Sequence, residues 1–244
     1  GGYAATAITA ITVQNTLGVQ AVHPVPAELV GEQMQAVMED LRPDAIKIGM
    51  TGNVEIISEI ARLLHQYSPR QVVLDPVMVS TSGHNLMTDE AVEAICTLLL
   101  PEVSLVTPNL HEAAVLLQQP IHTVDDMEHA AHLVYEKYHC ACLVKGGHLT
   151  GNEMCDVLYD GHELHLFGAR RIHSGNLHGT GCTLSSAIAT FLAQGFPLYE
   201  AVELAKTYIT KAIEAGKDLH IGQGNGPLCH FPYLVNPVNP LTEE

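Results

Sequence analysis

The sequence predicts an α/β fold, a mostly parallel central sheet with helices on both faces. Three observations predict it. Short apolar runs alternate with longer runs of helical period, the order that parallel crossovers require. Hydrophobic residues make up 47% of the 244 positions and charged residues 16%, enough apolar surface to cover a sheet on two faces. Polar or small residues also recur just after the apolar runs, at Gln14, Gly49-Met50, Asp75, Asn109, Lys145 and Gly179–Cys182. In such sheets ligands bind at the carboxyl ends of the strands.

The elements follow in order. Ala4 to Val13 alternates small, Thr and Ile residues and reads as a strand, ended by a turn at residues 14–18. Val19 to Val25 is a second extended piece, stopped by Pro24 and Pro26. Ala27 to Leu41 has helical periodicity through Leu29, Val30, Met34, Val37, Met38 and Leu41. Ala45 to Gly49 reads as a buried strand, Val54 to Tyr67 as a helix, and Val72 to Leu74 as a strand closed by Asp75-Pro76. The small residues from Ser80 to Asn85 suggest a mobile flap. Thr88 to Leu100 is a helix with Thr88 as its cap and Asp89 and Glu90 in its first turn. Val103 to Val106 is a strand, and Thr107-Pro108-Asn109 opens a helix to Leu117. Thr123 caps a helix from Val124 to Tyr138. Ala141 to Val144 is a strand that runs into Lys145-Gly146-Gly147-His148. Met154–Tyr159 and Glu163–Phe167 flank Asp160-Gly161, a hairpin signal. Leu184, Ile188, Phe191 and Leu192 mark a helix after Gly179, Leu198 to Ala215 is another, and the tail from Gly222 is irregular. No repeat or linker divides residues 1–244, so a single domain is expected.

Composition excludes several classes. With 11 basic against 27 acidic side chains the net charge is −16, so nucleic acid and anionic membrane are not expected partners. No run of about 18 apolar residues suggests a transmembrane span. Gly1-Gly2-Tyr3 is not a signal-peptide start. The six cysteines are scattered through apolar runs, which suits reduced thiols in a cytoplasmic protein. Cys140-Ala141-Cys142 beside His139 has no second ligand pair at zinc spacing, so these read as core residues.

The chemistry concentrates in Asn176 to Ala187. Gly179-Thr180-Gly181 allows a turn whose N–H groups face outward at a helix start, where the dipole favours an anion. Cys182 follows, and a thiol there is expected to have a lowered pKa. The alternative is a tight strand-to-helix turn with a buried cysteine. Asp75 at a strand end suits Mg²⁺ or its water, or simply a turn before proline. Asn109 and Glu112 stand at capping-box spacing, and either cap the helix or face a metal–phosphate region through water. Lys145, before two glycines, is a candidate phosphate contact. The Gln14 carboxamide can donate and accept together, which suits a heterocycle with a ring nitrogen beside an amino group; it can also cap its turn.

Six segments, in order, resemble the ribokinase-like superfamily and within it the bacterial hydroxymethylpyrimidine phosphate kinases of thiamine biosynthesis. They are Thr12–Thr16, Lys47-Ile48-Gly49-Met50, Leu74–Met78, Thr107–Ala113, Lys145–His148 and His178–Leu184. The resemblance implies ATP- and Mg²⁺-dependent phosphorylation of 4-amino-5-hydroxymethyl-2-methylpyrimidine and then of its monophosphate. It places Gln14 on the pyrimidine, with Met50 and Val77 lining the pocket. Gly179, Thr180 and Gly181 would form the anion hole, with Cys182 where most of the superfamily has an aspartate base. Lys145 would contact ATP phosphates, and Asn109, Glu112 and Asp75 would support the metal. A homodimer is implied as well. Relative to that pattern the given sequence starts after an N-terminal strand–helix with a Gly-rich segment, which is either omitted from it or absent from the protein. A pyridoxal kinase of the same superfamily and a non-catalytic pyrimidine- or nucleotide-binding protein are the alternatives. A dinucleotide-dependent oxidoreductase is not expected, since no Gly-x-Gly-x-x-Gly follows an early strand.

Overall fold

The computed structural model describes residues 1–78, 87–147 and 153–232. The segment expected as a flap, Ser80–Asn85, lies outside these residues.

The chain opens with a hairpin, β1 (Ala10–Asn15) and β2 (Gly18–Pro24), which forms an antiparallel two-stranded sheet of its own. This corrects two expectations. The first strand lies later than Ala4–Val13, and it does not belong to the central sheet. The reason is its composition. A central parallel strand is buried on both faces and needs a continuous apolar run, whereas the alternating Thr and Ile of this segment leave β1 exposed over most of its length. Gln14 consequently sits within a strand, beside a bulge between Val13 and Gln14, rather than at a central strand's carboxyl end.

Among the described residues the central sheet has six strands in the order β3 (Ile46–Ile48), β4 (Val72–Leu74), β5 (Leu105–Val106), β6 (Ala141–Val144), β7 (Glu153–Tyr159) and β8 (Leu164–Arg170). Strands β3 to β6 are parallel. The expected hairpin at Asp160-Gly161 joins β7 to β8 and adds two antiparallel strands. Among the described residues seven α-helices accompany the strands: α1 (Ala27–Asp40), α2 (Val54–Tyr67), α3 (Asp89–Ala94), α4 (Leu110–Leu117), α5 (Val124–Tyr138), α6 (Thr180–Ala193) and α7 (Leu198–Gly216). The expected helix from Thr88 keeps its span but not its winding. After α3 it widens into a π turn over Ile95–Leu99 and then tightens into a 3-10 turn at Leu100–Glu102, around Pro101.

Alternation along the strands builds two cores. Ile48, Val72, Leu74, Val106, Cys142 and Val144 face α2, α3 and α5. Val73, Leu105, Ala141, Leu143 and Leu158 face α6 and α7 through Leu184, Ile188, Leu192, Ala205 and Ile209. Helices therefore cover both faces, as expected. Cys140 and Cys142 are buried in the first core and are free thiols. Among the described residues no helix is long and apolar enough to cross a membrane.

Candidate active site

The carboxyl ends of β4, β5 and β6 deliver one cluster. Asp75, 2% exposed, follows β4. Thr107 follows β5 and its hydroxyl donates to Asp75 Oδ1 at 3.3 Å. Lys145 follows β6, and its ammonium donates to the same oxygen at 2.6 Å while lying 4.0 Å from Glu112 Oε2. Glu112 reaches this point because α4 begins here. Asn109 Oδ1 accepts the Glu112 N–H at 2.9 Å and Glu112 Oε2 accepts the Asn109 N–H at 2.8 Å, a complete capping box. Of the two readings of this pair, the cap is formed in full, and it is the cap that aims the Glu112 carboxylate at Lys145.

Helix α6 closes the cluster from the other side. Gly179 holds φ +82° at its N-cap, a left-handed conformation that costs glycine nothing. No side chain among the described residues caps this helix. The Thr180 N–H and hydroxyl both turn back to the Leu177 carbonyl, at 3.3 and 2.6 Å. No acceptor among the described residues meets the N–H of Gly181 or Cys182. Of the three residues of the glycine turn only Thr180 spends its N–H on the turn itself, and the Gly181 and Cys182 donors stand at the first turn of α6, open to an anion. Gly181 lies against the cluster: a Cβ on it would lie 3.2 Å from Lys145 Nζ and 3.7 Å from Asp75 Oδ2.

The electrostatics follow from burial and neighbours. Burial pushes the Lys145 ammonium toward losing its proton, but the charges of Asp75 and Glu112 outweigh it and hold its pKa above the ordinary value. Burial raises the Glu112 carboxyl, helped by Asp75, against the pull of Lys145 and of the Asn109 and Met78 N–H groups. The Cys182 thiol is raised too, opposite to the expected direction. The residue meets solvent at the mouth of the site, yet the protein packed beneath it desolvates the thiol. Asp75 adds to the rise by its charge and by accepting the thiol's hydrogen bond, and Lys47 and Lys145 only partly oppose it. The helix N-terminus favours a thiolate, but not enough to overcome desolvation and, after it, the neighbouring Asp75 carboxylate.

Two carboxylates against one ammonium leave oxygen donors in excess over cations. That donor set fits a hard divalent cation held by one or two carboxylates together with a ligand's phosphates. No three His, Cys, Asp or Glu side chains converge as a complete cage among the described residues.

The structure thus brings together Asp75, Glu112, Lys145, Gly181 and Cys182. Gln14 reaches the glycine turn from the hairpin, where its Nε2 donates to His178 Nε2 at 2.9 Å. Met50 and Val77 are half-buried just past β3 and β4. Thr9 donates to the Met50 carbonyl at 2.7 Å, tying the segment before the hairpin to the end of β3. Over residues 222–232 the tail is irregular, as expected, and it straps the hairpin to the glycine turn. Its Gln223 and Gly224 N–H groups donate to Thr16 Oγ1, and the Gly226 carbonyl accepts the His178 N–H.

Lys47 is the residue that sequence reasoning left without a role. It alternates with Ile46 and Ile48 on β3, its ammonium folds over Gly49, and its charge acts on Cys182. A lysine between two isoleucines of a short apolar run was the available signal.

Anion donors that face a lysine and paired carboxylates at the end of a parallel sheet belong to a phosphotransferase, where catalysis is largely positioning and charge neutralisation. The particular family follows from comparison with known proteins. The phosphomethylpyrimidine kinase family model matches residues 1–229, and the chain belongs to that family. A hydroxymethylpyrimidine/phosphomethylpyrimidine kinase of Rhizobium meliloti is 50% identical over 232 residues, 95% of this chain and 87% of the relative. The crystal structure of phosphomethylpyrimidine kinase from Clostridium difficile is 41% identical with a TM-score of 0.78, over 87% of each chain. The pyridoxal kinase from Staphylococcus aureus, in complex with pyridoxal, is 31% identical with a TM-score of 0.84, over 94% of this chain and 83% of that one. The ribokinase-like fold expected from the motifs is the fold of these neighbours.

Proposed function

We propose that this chain, acting as one domain, transfers the γ-phosphoryl group of ATP to the hydroxyl of 4-amino-5-hydroxymethyl-2-methylpyrimidine and then to the resulting monophosphate, in thiamine biosynthesis. The observation that carries the reading is the pair of open N–H donors at Gly181 and Cys182 facing the Asp75–Lys145–Glu112 cluster, in a chain of this family. Those donors hold the transferring phosphoryl group and the charge it develops. Gly179 and Thr180 shape the turn that presents them. Lys145 contacts the ATP phosphates.

Asp75 and Glu112 would hold Mg²⁺, with Asn109 fixing Glu112. The ion, when bound, neutralises phosphate charge. Gln14 hydrogen-bonds the aminopyrimidine edge, and Met50 and Val77 line its pocket. Cys182 is a thiol rather than a preformed thiolate, so it acts as a relay. The acceptor's hydroxyl proton passes to Sγ as the thiol's own proton passes to the Asp75 carboxylate.

The protein is further read as a cytoplasmic homodimer that binds neither nucleic acid nor membrane. The net charge of −16 and the free cysteines support the compartment and the absence of polyanionic partners. Ile11 and Val13, exposed on the outer hairpin, support a partner copy there, because an isolated two-stranded hairpin is marginal in water. Light scattering tests the dimer.

The fold likeness to a pyridoxal kinase bound to pyridoxal favours one second reading, pyridoxal as acceptor. Turnover on the two acceptors, with ATP and Mg²⁺, tests both. The proposal expects kcat/KM to be higher for the hydroxymethylpyrimidine, and a preference for pyridoxal would replace it.

A further inference from the structure

Asp156 stands among apolar neighbours in β7 and is 7% exposed. Its two carboxylate oxygens have separate partners. Oδ1 accepts the Gly146 N–H at 2.8 Å, and Oδ2 accepts the Lys206 ammonium, from α7, at 2.5 Å. The place of the first bond matters. Strands β6 and β7 pair only over Cys142–Val144 against Val157–Tyr159. At Lys145 the chain leaves β7 and swings toward the start of α4, where the Lys145 N–H donates to the Pro108 carbonyl at 2.8 Å. The next amide, Gly146, has lost its strand partner, and the Asp156 side chain supplies the acceptor. The backbone on both sides of the Lys145 Cα is thereby pinned, one amide by Pro108 and the next by Asp156, while the ammonium rests between Asp75 and Glu112.

Charge explains the second bond. A bare carboxylate directly behind a phosphate-binding loop repels the phosphates it should help to hold. Lys206 cancels that charge from the far side of the loop. A buried ion pair seldom adds net stability over apolar packing, so stability alone gives no reason for a charged pair here.

We propose that Asp156 and Lys206 are positioning residues for the ATP-phosphate loop Lys145-Gly146-Gly147: Asp156 sets the Gly146 amide, and Lys206 neutralises Asp156 so that the loop stays attractive to nucleotide phosphates. The proposal rests on the reading of Lys145 as an ATP contact.

The test is steady-state kinetics on the full chain, with ATP and hydroxymethylpyrimidine varied separately, for D156A, D156N, K206M, D156N/K206M and K145M, alongside thermal melts. K206M is expected to raise KM for ATP about tenfold and leave KM for the pyrimidine within about twofold, since loop misplacement and repulsion act at the nucleotide. D156N should do less, because its amide oxygen still accepts the Gly146 N–H and carries no charge. D156A should exceed D156N. The double variant D156N/K206M should lie closer to wild type than K206M does. A purely structural pair would lower the melting temperature without splitting the two KM values, and the double variant would be no better than K206M; either result overturns the proposal. If K206M does not fold, the D156A–D156N comparison decides by the same split. K145M separates the layers. If it leaves KM for ATP unchanged, the loop is not the ATP site and both readings fall. If it raises KM for ATP while K206M and D156A do not, only the present inference falls.

Discussion

Gly181→Ala separates stability from activity at the point where the two N–H donors open. An ideal Cβ there lies 3.2 Å from Lys145 Nζ and 3.7 Å from Asp75 Oδ2. Ordinary contact is reached once the lysine end moves by a few tenths of an ångström, which a flexible side chain can do. Gly181 is the second residue of α6, and alanine in a helix is favoured over glycine by roughly 0.5–1 kcal/mol. The gain and the contact nearly cancel, leaving a net change within about 1 kcal/mol, or about 2–4 °C in Tm for a chain of this length. The phosphoryl position does not recover in the same way. A methyl group now sits where the donor N–H groups, Asp75 and Lys145 converge, and a displacement of about 1 Å there costs about 10²-fold in kcat. The assay is differential scanning calorimetry beside ADP-release kinetics. Gly168→Ala, whose Cβ meets nothing within 4 Å, is the control. A Gly181→Ala protein with the wild-type kcat would refute the assignment of these donors to the transferring phosphate.

Three further outcomes follow from the same geometry. Because burial and Asp75 raise the Cys182 thiol, the rate of its alkylation by iodoacetamide, read by mass spectrometry, should have its midpoint above the ordinary thiol value of about 8.5, and a midpoint below about 8 would contradict the relay. Glu112 has a folded-state pKa above its unfolded one, so between the two the native state holds the extra proton and stability falls as pH rises through that window. Glu112→Gln removes this loss, so its urea midpoint relative to wild type should climb as pH increases from about 4.3, the unfolded value, and a flat difference would show that Glu112 is not raised. Asn109→Ala deletes one half of the capping box and should cost about 1 kcal/mol by urea unfolding, with a larger loss of kcat as Glu112 swings away; equal stability would mean that the cap carries no weight.

The helices were legible because period and caps agree. Thr88, Asn109 and Thr123 each cap the helix that their position implies, accepting the N–H three residues on. Val54–Tyr67 and Val124–Tyr138 match the expected spans end for end. The hairpin was misplaced because alternating Thr and Ile residues state only that a strand forms, not which sheet will accept it. The site's motifs were legible one by one as polar residues after apolar runs. What they do to each other was not. The upward shift of Cys182 depends on how deeply the protein packs around it and on Asp75, more than one hundred positions earlier. The Asp156–Lys206 pair spans 50 positions and depends on where β6 parts from β7, which no local pattern records. Lys47 was visible as an odd lysine between two isoleucines, but only its fold toward Gly49 and its charge on Cys182 connect it to the site.

The central claim is the identity of the reaction, and following the phosphorus nuclei tests it most directly. In a ³¹P NMR time course with ATP, Mg²⁺ and the hydroxymethylpyrimidine, a monoester resonance should rise first and then give way to the coupled pair of doublets of a diphosphate as ADP accumulates. ATP consumption without a phosphorylated pyrimidine, or efficient phosphorylation of pyridoxal alone under the same conditions, would contradict it.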